Sequence, residues 1–367
     1  MNESVRITDP QRPEGGATFL DYVRLTKPRI IELLLVTTLP AMVLAARGWP
    51  GWWLVVATLI GGTLSAAGAN VINQVMDADL DRLMNRTRGR PLPTERMSHG
   101  AAVGFGVALG VLGFVWLLAT TNLLAASLST VGLLFYVFVY TMLLKRSTTQ
   151  NIVIGGAAGA VPPLVGWAAV TGSLAVPTWV LFAIVFFWTP AHFWALAIRY
   201  NEDYQAAGVP MLPGVVGVKM TADHILFHSF VTVGISLLLI PWIGWIYLAS
   251  VVVLGTWLIT GANRLRSDQD RAMKFFTATN GYLAGVFLAI AVDVLVLGDF
   301  GVSAGIDKAV LVVGSILAIG GMATIAAREL GTHPERRLVG RTRDTIEVLL
   351  PFAGVLALVI VVWGAVA

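Results

Sequence analysis

Apolar residues along this chain fall in long unbroken runs, not in the period-2 stripe of a half-buried strand or the period-3.6 stripe of a surface helix. Such runs occupy residues 29–46, 52–76, 101–120, 122–143, 151–171, 177–199, 224–242, 245–263, 279–297, 309–327 and 346–366. Most are about 20 residues long, the length a helix rising about 1.5 Å per residue needs to cross about 30 Å of hydrocarbon. The pattern predicts an all-α polytopic membrane protein with eleven transmembrane helices. Junctions between the runs alternate in character. Those at one end are short and hold Trp49, Trp52, Trp53, Trp179, Trp242 and Trp245, an aromatic belt. Those at the other end are longer, notably 81–100 and 200–223, and collect the acidic residues.

Composition agrees. Hydrophobic residues make up 56% and charged residues 13%, and the mean hydropathy of +0.78 lies far above that of a soluble domain. Of the 25 lysines and arginines, only Arg47 and Lys308 fall outside the acidic-end junctions and the N-terminal tail. The positive-inside rule therefore puts the N-terminus and the acidic junctions in the cytoplasm and the C-terminus outside, as in a bacterial inner membrane. That placement assigns the net charge of +4 to topology, with no nucleic-acid partner expected. The tail at 1–24 mixes acidic and basic residues with prolines and glycines, unlike a signal or transit peptide, and is expected to lack an apolar core. Without cysteine there is no disulfide, thiolate metal site or cysteine nucleophile.

The candidate chemistry lies where the second run ends, in ANVINQVMDADLDRLMNRTRGRPLP at Ala69 to Pro93. Asn73, Asp77 and Asp81 are four apart, so on a continuous helix they share a face, drifting about 40° and rising about 6 Å per step. Asn70 precedes them on that face. A carboxylate stripe running into a bilayer needs a partner, and a divalent cation such as magnesium suits Asn and Asp oxygens together with substrate phosphate. Arg82, Arg86, Arg88 and Arg90 follow, with forked donors suited to phosphate oxygens. The spacing points to a cation-held diphosphate; simple Asp–Arg pairing at the membrane edge is the plainer reading, and for Asn70 an interhelical hydrogen bond is the alternative.

The N-x-x-x-D-x-x-x-D pattern at Asn73 to Asp81 resembles the first aspartate-rich motif of the UbiA superfamily of intramembrane prenyltransferases. LTKPRI at 25–30, MNRTRGRPLP at 84–93, GGAAGAVPPLVGWAA at 155–169 and TPAHFWALAIRYNEDYQAAGVPMLP at 189–213 are similar to the haem-farnesylating branch, and the likeness runs in order to Asp293. It implies a bundle of nine helices over 25–300 that takes farnesyl diphosphate with Mg2+ as donor and haem b as acceptor. Helices after residue 301 fall outside it as a two-helix extension, with haem A synthase as a candidate partner. Where many members carry a second, spaced D-x-x-x-D, this chain reads IRYNEDY, offering Glu202 and Asp203 as metal ligands.

Around that second motif, His192 is a candidate iron ligand or proton carrier, with a hydrogen bond across helices as the alternative. Trp188, Leu196 and Arg199 share its helix face. Lys27, Arg29, Arg199, Tyr200, Tyr204 and Lys219 are candidate substrate contacts, although Lys27 and Arg29 also suit plain interfacial anchoring. His99, His224, His228 and His333 have no motif context and are expected to be ordinary interface residues. Gly106-xxx-Gly110 and Gly155-xxx-Gly159 are expected to be helix-packing seams. Competing functions are a prenyltransferase acting on a quinone precursor or chlorin and an ion-coupled transporter, which also carries intramembrane carboxylates.

Overall fold

The computed structural model describes residues 17–298, 302–331 and 341–366. Eleven helices among the described residues are long and apolar enough to cross a membrane, and each expected span is found. Four begin at least five residues earlier than the apolar runs: Val218–Leu237, Ala272–Val296, Ala304–Gly331 and Arg341–Val366. The extra turns hold polar residues such as Lys219, Asp223 and Lys274, because a helix continues past the hydrocarbon edge where hydropathy no longer marks it.

In chain order the helices are α1 (Phe19–Thr26), α2 (Pro28–Ala46), α3 (Trp52–Met76), α4 (Ala78–Leu83), α5 (His99–Thr120), α6 (Leu123–Leu144), α7 (Asn151–Thr171) and α8 (Val176–Arg199). Then come α9 (Asn201–Ala206), α10 (Leu212–Val216), α11 (Val218–Leu237), α12 (Trp245–Ser267), α13 (Ala272–Val296), α14 (Ala304–Gly331) and α15 (Arg341–Val366). Successive long helices pack as neighbours from α2 to α13, and α13 returns to α2, closing a ring of nine. The ring tightens where side chains vanish: a Cβ on Gly68 of α3 would lie 2.6 Å from the Gly106 carbonyl oxygen of α5. That bears out the seam at Gly106 and Gly110. Gly155 likewise packs on Tyr140, but Gly159 faces open space and belongs to a cavity wall.

The end of the tail is more ordered than its composition suggests. Thr18 and Asp21 form a capping box that starts α1, and Asp21 and Leu25 are buried. The amphipathic α1 lies against α3, with Tyr22 edge-on to Phe105. The C-terminal pair is not peripheral either. α14 packs along α11, where a Cβ on Gly234 would lie 2.7 Å from the Gly314 carbonyl oxygen, and α15 rests on α14 and α8. At the tryptophan-rich end, the buried Asp293 carboxylate caps α12, accepting from the backbone N–H groups of Gly244, Ile246 at 2.8 Å and Tyr247 at 3.2 Å.

Candidate active site

One face of α3 carries only small or short side chains: Thr58, Gly62, Ser65, Ala66, Ala69 and Asn70. Facing α2, α6 and α7 therefore leave a half-open cavity of about 150 Å3. Its lining is overwhelmingly apolar, from Ile30, Ile31, Leu34 and Leu35 on α2 to Leu133 on α6 and Pro162 and Val165 on α7.

Above this chamber α3 turns polar while still buried, through Asn70, Asn73, Gln74 and Asp77. Asn70 Nδ2 donates to the Thr26 carbonyl at 2.9 Å and Gln74 Nε2 to that of Leu25 at 2.6 Å. These bonds dock the turn between α1 and α2. The turn residue Lys27 is left-handed, at φ 53° and ψ 63°, a conformation that costs a non-glycine residue about 1–2 kcal/mol. It delivers the ammonium to Asn73 Oδ1 at 2.8 Å. Burial, with the Arg90 guanidinium nearby, pushes Lys27 down to about 7.

The expected helix face is interrupted at Asp77, which ends α3, yet the Asp81 N–H still reaches the Asp77 carbonyl at 2.8 Å, so both carboxylates stay on one side. Asn73 Nδ2 donates to Asp77 Oδ2 at 2.8 Å and to Thr141 Oγ1 at 3.0 Å. Lys145 pairs with Asp77 Oδ2, and Arg90 Nη1 with Asp81 Oδ2 at 2.7 Å. Asp77 Oδ1 is buried with no partner. Lys145 and Thr141 were not among the expected site residues; the basic pair at 145–146 reads in sequence as a topology signal. What brings them in is a π-helical stretch at the end of α6, Phe135–Leu144. There the Thr141 hydroxyl bonds the Tyr136 carbonyl and the Lys145 N–H that of Tyr140, both five-residue steps. On an α-helix a five-residue step is about 140° out of phase; the wider turn puts Tyr136, Thr141 and Lys145 on the side facing α3.

Among the described residues no three His, Cys, Asp or Glu side chains form a metal-sized cluster. Magnesium does not need one, since one or two carboxylates, waters and substrate phosphates complete its octahedron. The orphaned, buried Asp77 Oδ1, with Asp81 one helical turn further on, fits the chemistry of that donor set, whereas the Asn73 amide oxygen is held by the Lys27 ammonium.

From the other side, α8, α9 and the following loop reach over the segment after α4. Asp203 accepts from Asn85 N and Nδ2, each at 3.2 Å, and from Arg86 N at 3.3 Å. Arg86 Nη2 meets the Tyr204 hydroxyl at 3.3 Å, and its guanidinium lies over the Tyr200 ring, 5.2 Å from the centroid. Tyr204 is buried, which raises its phenol and keeps it a neutral donor. His192 stands apart on the α8–α13 wall, stacked between Trp188 at 4.2 Å and Phe276 at 4.3 Å. Its Nδ1 is 2.7 Å from Thr279 Oγ1, and that hydroxyl donates to the Phe276 carbonyl. Thr279 therefore accepts from Nδ1–H, which leaves Nε2 with its lone pair.

Other expected residues are not drawn in. Arg82 pairs with Glu95 at 3.1 Å, Arg199 lies over the Tyr200 ring at 5.8 Å, and Arg29, Arg88, Glu202 and Lys219 are exposed. Two histidines depart from expectation: His224 and His228 are buried in α11 against Trp194, on the face this helix turns into the bundle. His333 lies outside the described residues.

A helical membrane bundle with buried carboxylates and cations at the mouth of an apolar chamber is the architecture of an enzyme that handles an amphiphile with an anionic head. Residues 34–291 match the UbiA prenyltransferase family, and the chain belongs to it. It is 51% identical over 289 residues to protoheme IX farnesyltransferase 1 of Saccharopolyspora erythraea, covering 77% of this chain and 92% of the relative. A protoheme IX farnesyltransferase of Mycobacterium tuberculosis is 49% identical over 300 residues, covering 80% and 97%. Among solved structures, a digeranylgeranylglyceryl phosphate synthase superposes with a TM-score of 0.62 at 20% identity over 75% of this chain and 98% of its own. A UbiA homolog from Archaeoglobus fulgidus, bound to DMAPP and Mg2+, gives 0.51 at 17% identity over 74% and 99%. At those identities the structures establish the fold.

Proposed function

We infer that this chain transfers the farnesyl group of farnesyl diphosphate to a vinyl group of haem b with addition of water, giving haem O and diphosphate. The observation that carries the donor half is the gathering of basic groups at the chamber mouth: Lys27, Arg86, Arg90 and Lys145 lie about Asp77 and Asp81, and among the described residues the Arg86 guanidinium has no carboxylate partner. An anionic head group completes it while an isoprenoid tail fills the apolar space below. The names of relatives at about half identity support the acceptor.

Asn73, Asp77 and Asp81 would hold Mg2+, which supplies electrostatic stabilisation of the departing diphosphate. Lys27, Arg86, Arg90 and Lys145 share that charge, with Tyr204 as a neutral donor. Departure of diphosphate leaves an allylic cation at farnesyl C1; the apolar walls keep water from it until the terminal vinyl carbon of haem bonds there. Positive charge then sits on the adjoining carbon, water adds, and one proton is lost, which leaves a hydroxyethylfarnesyl group. His192 Nε2, with its ring held by Thr279, Trp188 and Phe276, is suited to ligate the haem iron and so orient the acceptor. Arg199, one heptad along α8 from His192 and on the same face, is suited to a propionate.

The lysine and arginine distribution supports a cytoplasmic-membrane orientation with the site facing the cytoplasm, the N-terminus inside and the C-terminus outside. A contact with haem A synthase would fall on the outward side of α15, where Leu350, Leu356 and Ile360 are exposed.

The test is incubation of purified protein in nanodiscs with haem b, farnesyl diphosphate and Mg2+, with mass spectrometry of the extracted haem. A farnesylated, hydrated haem that disappears on chelation is expected. Farnesyl diphosphate binding without that product would move the acceptor to a quinone precursor or chlorin, and binding of neither substrate would reopen the transporter reading.

A further inference from the structure

Asp203 stands where the resemblance expects a second metal-binding motif, but its carboxylate is already committed. Oδ1 accepts two hydrogen bonds from Asn85, through N and Nδ2 at 3.2 Å each, and Oδ2 accepts one from Arg86 N at 3.3 Å. These donors are 117 and 118 residues away, in the segment that follows α4. A carboxylate has about four lone-pair sites; three are used, and three N–H groups aimed at the same two oxygens repel a cation. Glu202 does not help, because adjacent residues of a helix point about 100° apart and Glu202 is exposed.

What the bonds do is fix Arg86. Its backbone is held by Asp203, its guanidinium meets the Tyr204 hydroxyl at 3.3 Å, and it lies over the rings of Tyr200 and Tyr204 at 5.2 and 5.9 Å. Three residues in a five-residue stretch of one junction thus grip two consecutive residues of the other. Among the described residues Arg86 has no carboxylate partner, so its charge is available to an anion.

We propose that Asp203 is a positioning residue that fastens the 84–98 segment to the 200–217 segment and so seats the Arg86 guanidinium over the diphosphate of the prenyl donor. The proposal rests on the prenyl diphosphate reading above. The two junctions so joined roof the chamber mouth, and the roof keeps water from the allylic cation.

The test compares wild type, Asp203→Ala, Asp203→Asn, Arg86→Ala and the Asp203→Ala/Arg86→Ala double variant in nanodiscs. Three properties are read: trypsin cleavage within the arginine-rich 82–96 segment without ligand, Mn2+ binding by electron paramagnetic resonance, and affinity for farnesyl thiodiphosphate. The latch predicts cleavage several-fold faster in Asp203→Ala, unchanged Mn2+ binding, and donor affinity lowered about ten-fold, the equivalent of about one lost charge-assisted bond. Asp203→Asn, which keeps an acceptor for one N–H, should recover part of both losses. Adding Arg86→Ala to Asp203→Ala should cost little more, since the two residues act as a unit. Lost Mn2+ binding would overturn the proposal in favour of a metal ligand, and so would unchanged cleavage. If wild type binds no farnesyl thiodiphosphate, the donor reading fails; the cleavage result still decides whether the junctions are latched, and the seating of Arg86 over diphosphate falls with the donor.

Discussion

Lys145 and Asp77, 68 residues apart in sequence, share one salt bridge that fastens the end of α6 to the end of α3 where both leave the apolar bundle. Both side chains are largely buried, at 12% and 2% exposure, so removing one partner leaves the other as an uncompensated charge. Asp77→Asn keeps the volume but removes the carboxylate that presents the orphaned Oδ1. Turnover should fall by 10²–10³-fold or more, on the order of losing a preorganised electrostatic contact. Size-exclusion profile and helix content should stay normal. Near-normal turnover in a magnesium-replete assay would remove Asp77 from the proposed metal site.

Lys145→Met separates binding from chemistry. The ammonium holds Asp77 before substrate arrives and is free to meet diphosphate oxygens afterwards, so KM for the prenyl diphosphate should rise roughly ten-fold, a loss of about 1.4 kcal/mol. An unchanged KM with a lowered kcat would instead put the lysine on the transition state alone.

Chelation gives a third expectation. Lys27, Lys145 and Arg90 bond Asn73, Asp77 and Asp81, so these side chains have partners within the chain and are not held by a cation alone. Treatment with EDTA should abolish product formation and shift the thermal midpoint of the unliganded protein by no more than a few degrees, with activity restored by Mg2+. A large drop in the midpoint would mark a structural metal, whose binding energy is folding energy.

Much of this was legible in the chain and some was not, for physical reasons. Long apolar runs reveal spans because bilayer thickness fixes their length, and the three-residue Asn73, Asp77, Asp81 stripe is legible because an α-helix repeats regularly. Lys145 was hidden because its reach depends on the π-helical stretch Phe135–Leu144, which changes the phase without an obvious residue signal. His224 and His228 were misread because hydropathy does not reveal which way a buried helix turns. The grip on Asp203 was equally hidden, because the sequence does not show that Asn85 and Arg86, far upstream, supply N–H donors to it.

His192 tests the acceptor half. With Nδ1–H bound to Thr279, the free Nε2 sits on a ring stacked between two aromatics. Titration of haem b into wild type should shift the Soret band in the manner of histidine ligation, and His192→Ala should lose that shift. Thr279→Val removes one hydrogen bond and should weaken haem binding only a few-fold, about 1 kcal/mol, leaving the band position intact. An unaltered spectrum in His192→Ala would return the residue to helix packing.

The donor's length is tested by two neighbouring glycines with opposite surroundings. Gly62 lines the chamber, and a Cβ built there meets nothing within 4 Å, whereas one built on Gly61 would come 2.4 Å from Leu117 Cγ. Gly62 lies eight residues, about 12 Å, along α3 from Asn70 at the polar mouth. A tail entering from the mouth must pass it with its later isoprene units. Gly62→Leu should therefore lower kcat/KM for farnesyl diphosphate by ten-fold or more and spare geranyl diphosphate, since side-chain volume at the deep end excludes the longer tail by about 1–3 kcal/mol. Gly159→Leu, across the chamber on α7 and also facing open space, should act in the same direction. Gly61→Leu instead overpacks the seam with α5, costing about 1–3 kcal/mol of stability with no change in the ratio of products. Competition between the two diphosphates, read by mass spectrometry of the prenylated haem, distinguishes these outcomes. Equal loss for both donors in Gly62→Leu would mean that the tail does not run along this face of α3.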